Sequence, residues 1–577
     1  MQVGALKSLG PTGKLPGWRN GFSRMVLRTV VYGRGVLVTD SKACRGGTPV
    51  DRDAAPRRRG RFYRWGVVFF QAVAATLVAL LALEGVARLY WRARPEPKNS
   101  WVDVLTPGAK QDGYYFLAMH ELPVPVEPPR SPELKAPRDP DVFRVATFGA
   151  SAVYGTPYPP DAAFPHMLLR ILKAQWPLGK FEVCNFGSAG RNYYFGLETV
   201  RDAMALKPDC MILDAGAGGL YPNNIYFSAR RALRPFGNWL DPNGWLLCTS
   251  SAARWAVSAM QRGDDVANPA APPPIPPNFD FPAHVPDVYR DFEWITGRIV
   301  AFARASDAKL VYLVPLRNLR DFPPEPGVEF SPPLTAPEAR AIEARPSRMP
   351  PDAFLLARHY EAAGDTARAK ALYCEASDGS YFFGRATSRL VQFVRELPGR
   401  YRDVAVVDVE PELERESAGG VIGDDWLVDA SHFRLETHFR VARALARELE
   451  PLVTQRFGPP TGDAPAFSEL VNQLTPNVEQ MLMDGIEYSG FWNFVAQRWK
   501  RAADFYEERL KLGYSLNSAL GLGMCRVQLG DLAEARAMAD RIRATSSEQD
   551  IAQAIAGQAG LARSFYEQYL RASEAHE

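Results

Sequence analysis

Between residues 143 and 214 the chain alternates short apolar, β-leaning runs with runs of helical period. The strand-like runs are FRVATFG (143–149), FEVCNFG (181–187) and DCMILDAG (209–216); the helical ones are AFPHMLLRILKAQ (163–175) and YFGLETVRDAMAL (194–206). This alternation constrains the fold more than any other feature. Strands separated by helices of such length can pair only in parallel, with the helices covering both faces of the sheet. The pattern returns as a helix at 289–306, strands AKLVYLVPL (308–316) and DVAVVDVE (403–410), and a last helix HFRVARALARELEPLV (438–453). In such sheets the C-terminal ends of the strands are where a site is built. The stretch from about 217 to 286, with NPAAPPPIPPNFDFPAHVP, reads as an irregular loop or lid.

A chain of 577 residues is too long for this one body. Residues 1–64 hold 14 Lys and Arg against 3 Asp and Glu, so a net charge of +3 conceals a basic tail on a mildly acidic remainder. That distribution argues against nucleic acid as partner and for a membrane. WGVVFFQAVAATLVALLAL, Trp65 to Leu83, follows without a charge and spans about 28 Å as a helix, roughly one hydrocarbon core. It starts too late for a signal peptide. Arginines 57, 58, 59, 61 and 64 before it, against 88, 92 and 94 after it, predict a cytoplasmic N-terminus and an exported body. Six cysteines (44, 184, 210, 248, 374, 525) show no metal-ligand spacing, and a disulfide among the exported ones stays open.

FLLARHYEAAGDTARAKALYCEAS interrupts the alternation before the last strand. Leu356, Ala357, Tyr360, Gly364, Ala369, Tyr373 and Ala376 fall on the helix–turn–helix spacing of a tetratricopeptide repeat. Leu522, Gly523, Gly530 and Ala535 take similar slots near the C-terminus, after Ala502 and Tyr506. Paired amphipathic helices covering a core would leave the same pattern, and too few units are visible for a free-standing solenoid.

The chemistry-bearing candidates lie at the two ends of the α/β body. Ser151 follows the first strand among very small residues, Gly149, Ala150 and Ala152. A serine there either caps a helix or acts as a nucleophile. In DDWLVDASHF, Asp429 precedes His432 by three residues, near enough to accept the imidazole Nδ1–H and leave Nε2 as a base; the alternative is a helix cap beside an ordinary first-turn histidine. The NLRD string (318–321) lines a pocket or shapes a loop, and Tyr193, Tyr194 and Phe195 stack on a ligand or pack a core.

Taken together, these blocks resemble the SGNH (GDSL-like) hydrolase family, in a bacterial branch with a membrane anchor and tetratricopeptide-like helices. Gly149-Ala150-Ser151 matches its G-x-S, NFGSAGRNYY with Asn185, Gly187 and Gly190 its second block, and Asp429 to His432 its DxxH; the likeness covers about 140–455. It implies a three-layer α/β/α, flavodoxin-like domain with a parallel sheet, preceded by one transmembrane helix and followed by an α-helical region. The implied organisation is a disordered basic cytoplasmic tail (1–60), an anchor (61–92), a Pro-rich linker (93–140), the hydrolase-type domain (141–456) with a helical insertion at about 350–378, and a helical domain (470–577).

By resemblance Ser151 is the nucleophile, His432 the general base and Asp429 its orienting partner. The oxyanion hole would use the N–H groups of Ser151 and Gly187 and an Asn side chain from a third block. That Asn is missing: in DAGAGGLYPNN its place falls on Gly218. Asn192, Asn223 or Asn224 could substitute, or a backbone N–H at Gly218. Losing one such donor costs a factor on the order of 10²–10³. The expectation is therefore a membrane-anchored, extracytoplasmic esterase or acyltransferase at the inner membrane, acting without metal or cofactor on acylated glycans or lipids. The rival is a catalytically weakened scaffold whose helices hold a protein partner.

Overall fold

The computed structural model describes residues 70–86, 105–107, 112–117, 134–135, 137–191, 193–220, 225–226, 228–229, 275–276, 278–328, 334–381, 385–474, 478–556 and 561–570. The basic tail, most of the 217–286 loop, and Cys44 and Cys248 lie outside them. Cys184, Cys210, Cys374 and Cys525 are free. Two units separate in the chain, Met1–Val78 and Ala79–Glu577. Of the Trp65–Leu83 segment, the part from Phe70 on is described. Residues 70–86 are helical with apolar side chains such as Phe70, Leu77 and Leu81 exposed. Among the described residues no helix is long and apolar enough to cross a membrane.

A seven-stranded sheet organises the larger unit, in the order β1-β2-β4-β3-β5-β6-β7. The strands are β1 (Leu105–Pro107), β2 (Tyr114–Leu117), β3 (Val142–Gly149), β4 (Lys180–Gly187), β5 (Cys210–Asp214), β6 (Lys309–Leu313) and β7 (Val404–Val407). All pairings are parallel except β1 with β2. β1 and β2 correct the expected linker over 93–140, since two of its segments join the sheet edge. They are only three and four residues long, too short for a periodic pattern to declare them.

β3 is buried over its whole length, and its side chains alternate between two cores. Phe143 and Val145 face one core with helices α2 (Phe164–Gln175) and α7 (Leu435–Phe457). Ala146 and Phe148 face the other with α3 (Tyr193–Ala203) and α4 (Phe281–Ala305). The body thus has three layers. Burying each Leu, Ile or Phe in these cores contributes about 1.5–3 kcal/mol.

α4 starts at Phe281 rather than in the Tyr289 region, inside what reads as proline-rich loop. Asp280 accepts from Ala283 N–H as its cap, Pro282 sits in the first turn where no N–H is needed, and Pro286 lies just beyond. Between β6 and β7, helices α5 (Pro350–Ala362) and α6 (Thr366–Asp378) form a hairpin turned at Gly364, whose φ is 82°. Leu356, Ala357, Ala369, Tyr373 and Ala376 are its shared core. After α7 a helical array follows: α8 (Val478–Val495), α9 (Trp499–Leu512), α10 (Leu516–Leu529) and α11 (Leu532–Thr545). Ala502, Tyr506, Leu522 and Ala535 lie in its core.

Candidate active site

The sheet order reverses at β3, which leaves for β4 on one side and β5 on the other. A crevice at the carboxyl ends of strands opens at such a switch point. β3 ends at Gly149, and Ser151 is the first residue of the one-turn helix α1 (Ser151–Tyr154). Gly155, with φ 118°, ends that turn by closing its N–H on Ser151 O. Ala150, not Ser151, holds the N-cap position of that turn. The Ser151 hydroxyl donates to His432 Nε2 across 2.6 Å.

His432 does not open α7, as its position in the chain suggests, but sits three residues earlier in a closed turn. Val428 N–H donates to His432 O (2.9 Å) and Arg434 N–H to Trp426 O (3.0 Å). Asp429 is 2% exposed and caps no helix. Its Oδ1 accepts Ser431 N–H (2.8 Å) and His432 N–H (2.9 Å), while Oδ2 accepts His432 Nδ1–H at 2.5 Å. Burial alone would raise the Asp429 carboxyl, but the charge and hydrogen bond of His432 and the two N–H donors hold it below the usual range. This order, Ser hydroxyl to Nε2 and Nδ1–H to carboxylate, leaves His432 placed to take the Ser151 proton.

The loop after β6 supports the turn. Asn318 N–H donates to Ala430 O (3.0 Å), and its side chain donates to Asp424 (2.8 Å) and accepts from Asp321 N–H (3.0 Å). Buried Arg385 donates to the carbonyls of Asn318, Phe322 and Pro323. NLRD is therefore loop structure rather than a pocket lining. Tyr193 and Phe195 are buried in the core, with the Tyr193 hydroxyl between Thr296 and Tyr312; nothing of the Tyr194 side chain is described.

The oxyanion donors differ from expectation. Gly187 does not offer its N–H to Ser151, because it donates to Asn185 Oδ1 at 2.8 Å. Its lack of a side chain serves another end: a Cβ there would collide with Tyr154 N and the Val153 carbonyl carbon, so only glycine lets α1 pass over β4. Asn185 Nδ2 ties the two together by donating to Val153 O and the Tyr114 hydroxyl, both 2.9 Å. Ser151 N–H remains at the start of α1, where the helix itself has no use for it. Gly218 ends a 3₁₀ turn, Ala215–Gly218, after β5. Asn192, Asn223 and Asn224 lie outside the described residues, and among the described residues no cluster of three His, Cys, Asp or Glu is placed to hold a metal.

One group at the site was not singled out by the sequence. Asp214, the last residue of β5, is buried and accepts Gly216 N–H at 2.9 Å. Burial pushes its carboxyl up to about 6, opposed by that bond and by nearby His432. A carboxylate at a strand end beside the switch point was the available signal. Because the folded pKa lies above the unfolded one, this group's contribution to stability is full below about pH 4 and is lost as pH rises through about 6. Asp214→Asn keeps an acceptor for Gly216. It is expected to match wild type near pH 4 and to exceed it at pH 8 by an amount on the order of 2–3 kcal/mol, read from urea midpoints at the two pH values.

No protein-family model and no curated protein matches the chain. Among solved structures it is similar to a protein of the G-D-S-L lipolytic family from Desulfitobacterium hafniense DCB-2. The identity is 11%, the match covers 53% of this chain and 98% of the other, and the TM-score is 0.25. The likeness is distant, and the reading of the site stands on its own geometry.

Proposed function

We propose that the chain is an SGNH-type serine esterase or acyltransferase. The observation that carries this reading is the Ser151–His432–Asp429 relay at the strand ends, assembled from residues 281 positions apart. Ser151 Oγ attacks an ester carbonyl carbon while His432 Nε2 takes the hydroxyl proton. Asp429 holds the resulting imidazolium. The alkoxide leaves with that proton; water or a second hydroxyl then attacks the acyl–Ser151 ester as His432 takes its proton, and His432 returns that proton to the departing Ser151 Oγ. Acylated glycans or lipids remain the substrate class suggested by the family resemblance. The uncharged segment from Trp65 and the basic tail support a membrane anchor with the body exported.

A second reading has a specific observation behind it. Gly218 lacks the expected amide and Gly187 N–H is already bonded, so among the described residues two of the three expected oxyanion donors are not in place. A pocket that binds without turnover fits that finding. Hydrolysis of a short-chain aryl ester by the full-length protein separates the two. Turnover that falls by at least about 10³ in both Ser151→Ala and His432→Ala supports the enzyme. Turnover no faster than in these variants favours the binding protein.

A further inference from the structure

The C-terminal array does not stand apart from the site. Helix α8 lies on the face where the Asp429–His432 turn emerges. Tyr488 meets the His432 ring at a centroid distance of 5.6 Å, the two planes 86° apart. One turn on, Trp492 packs with Ala430, Phe322 and Ala496, so the helix covers the residue next to Asp429 as well. One turn before Tyr488, Gly485 abuts the Tyr158 ring, which a side chain at 485 would strike.

The loops that brace the catalytic turn also fasten this helix. Gly327 N–H donates to Ala496 O (2.8 Å), and Arg498 Nη1 donates to Asp321 O (2.6 Å) and Asn493 Oδ1 (2.7 Å). Arg501 of α9 pairs with Asp424 (2.8 Å), the same carboxylate that receives Asn318. Helix and turn are thus held to one scaffold.

We propose that Tyr488 is a positioning residue that acts through His432, so that the C-terminal array is part of the catalytic unit. This rests on the reading of Ser151 and His432 as nucleophile and base. A perpendicular aromatic neighbour fixes the plane of the imidazole and keeps water from its bond to Asp429. The groups in contact with His432 are Ser151 on α1, Asp429 on its own turn and Tyr488 on α8, while Asp214 on β5 and His438 on α7 lie near enough to feel its charge. Of these, Tyr488 comes from outside the α/β body.

The test measures the rate at which a fluorophosphonate probe labels the full-length protein, with kcat and KM on the aryl ester. Tyr488→Ala is expected to slow labelling and lower kcat by about tenfold or more while changing KM by less than about twofold. Tyr488→Phe keeps the ring and should stay within about threefold of wild type. Leu482→Ala, an exposed residue of the same helix, should change neither rate. If the Ala variant fails to fold, Tyr488→Leu decides, since it keeps apolar bulk without the ring. Labelling of the variants at the wild-type rate overturns the inference alone, as does a loss confined to KM or equal in Phe and Ala. A wild-type protein that neither labels nor hydrolyses overturns it together with the enzyme reading.

Discussion

Asp429→Asn is expected to lower kcat by roughly 10⁴ while leaving the fold in place. The argument follows from how the two oxygens of Asp429 are used. Oδ1 accepts the N–H groups of Ser431 and His432, and an asparagine carbonyl would keep both. Its NH₂ would then face His432 Nδ1 in place of Oδ2. Two donors cannot share that contact, so the imidazole must place its proton on Nε2. Nε2–H would then point at the Ser151 hydroxyl, and the base would be gone. kcat on the aryl ester and a thermal melt of the same sample check this together. A variant with normal turnover would mean that His432 takes no proton from Ser151.

Gly187→Ala carries the second large effect, this one through packing. The added methyl would collide with backbone atoms of Val153 and Tyr154, which cannot rotate away as a flexible side chain would. Either α1 lifts from β4, or β3 and β4 lose their register at Gly149 and Gly187. Overpacking of this kind costs about 1–3 kcal/mol or more. Because Ser151 opens α1, a shift approaching 1 Å would also lower kcat by about 10². Urea unfolding and ester hydrolysis measure the two consequences. An alanine variant with wild-type stability and turnover would contradict the placement of α1 against β4.

The contrast between legible and hidden residues has a physical basis. β3, β4 and β5 are buried on both faces, so their apolar runs stand out and carry the sheet and its switch point with them. Ser151, Asp429 and His432 could be singled out because Asp and His lie three residues apart and the serine follows a strand. The geometry brings these three together. What stayed hidden depends on contacts remote in sequence. Tyr488 is one aromatic on an apolar helix until α8 docks beside His432. Asp214 looks like an ordinary strand-end residue until burial raises its carboxyl. The β1–β2 edge is too short to show a period. The family pattern points to the N–H of Gly187, whereas its missing side chain is what the packing of α1 requires.

The central claim is that Ser151 carries the acyl group. The most direct measurement is peptide mass mapping of the full-length protein quenched during turnover of an aryl acetate. An acetyl adduct on the peptide that contains Ser151, absent in Ser151→Ala, is the predicted result. Ester turnover that persists in Ser151→Ala, with no adduct on Ser151 in the wild type, would contradict it.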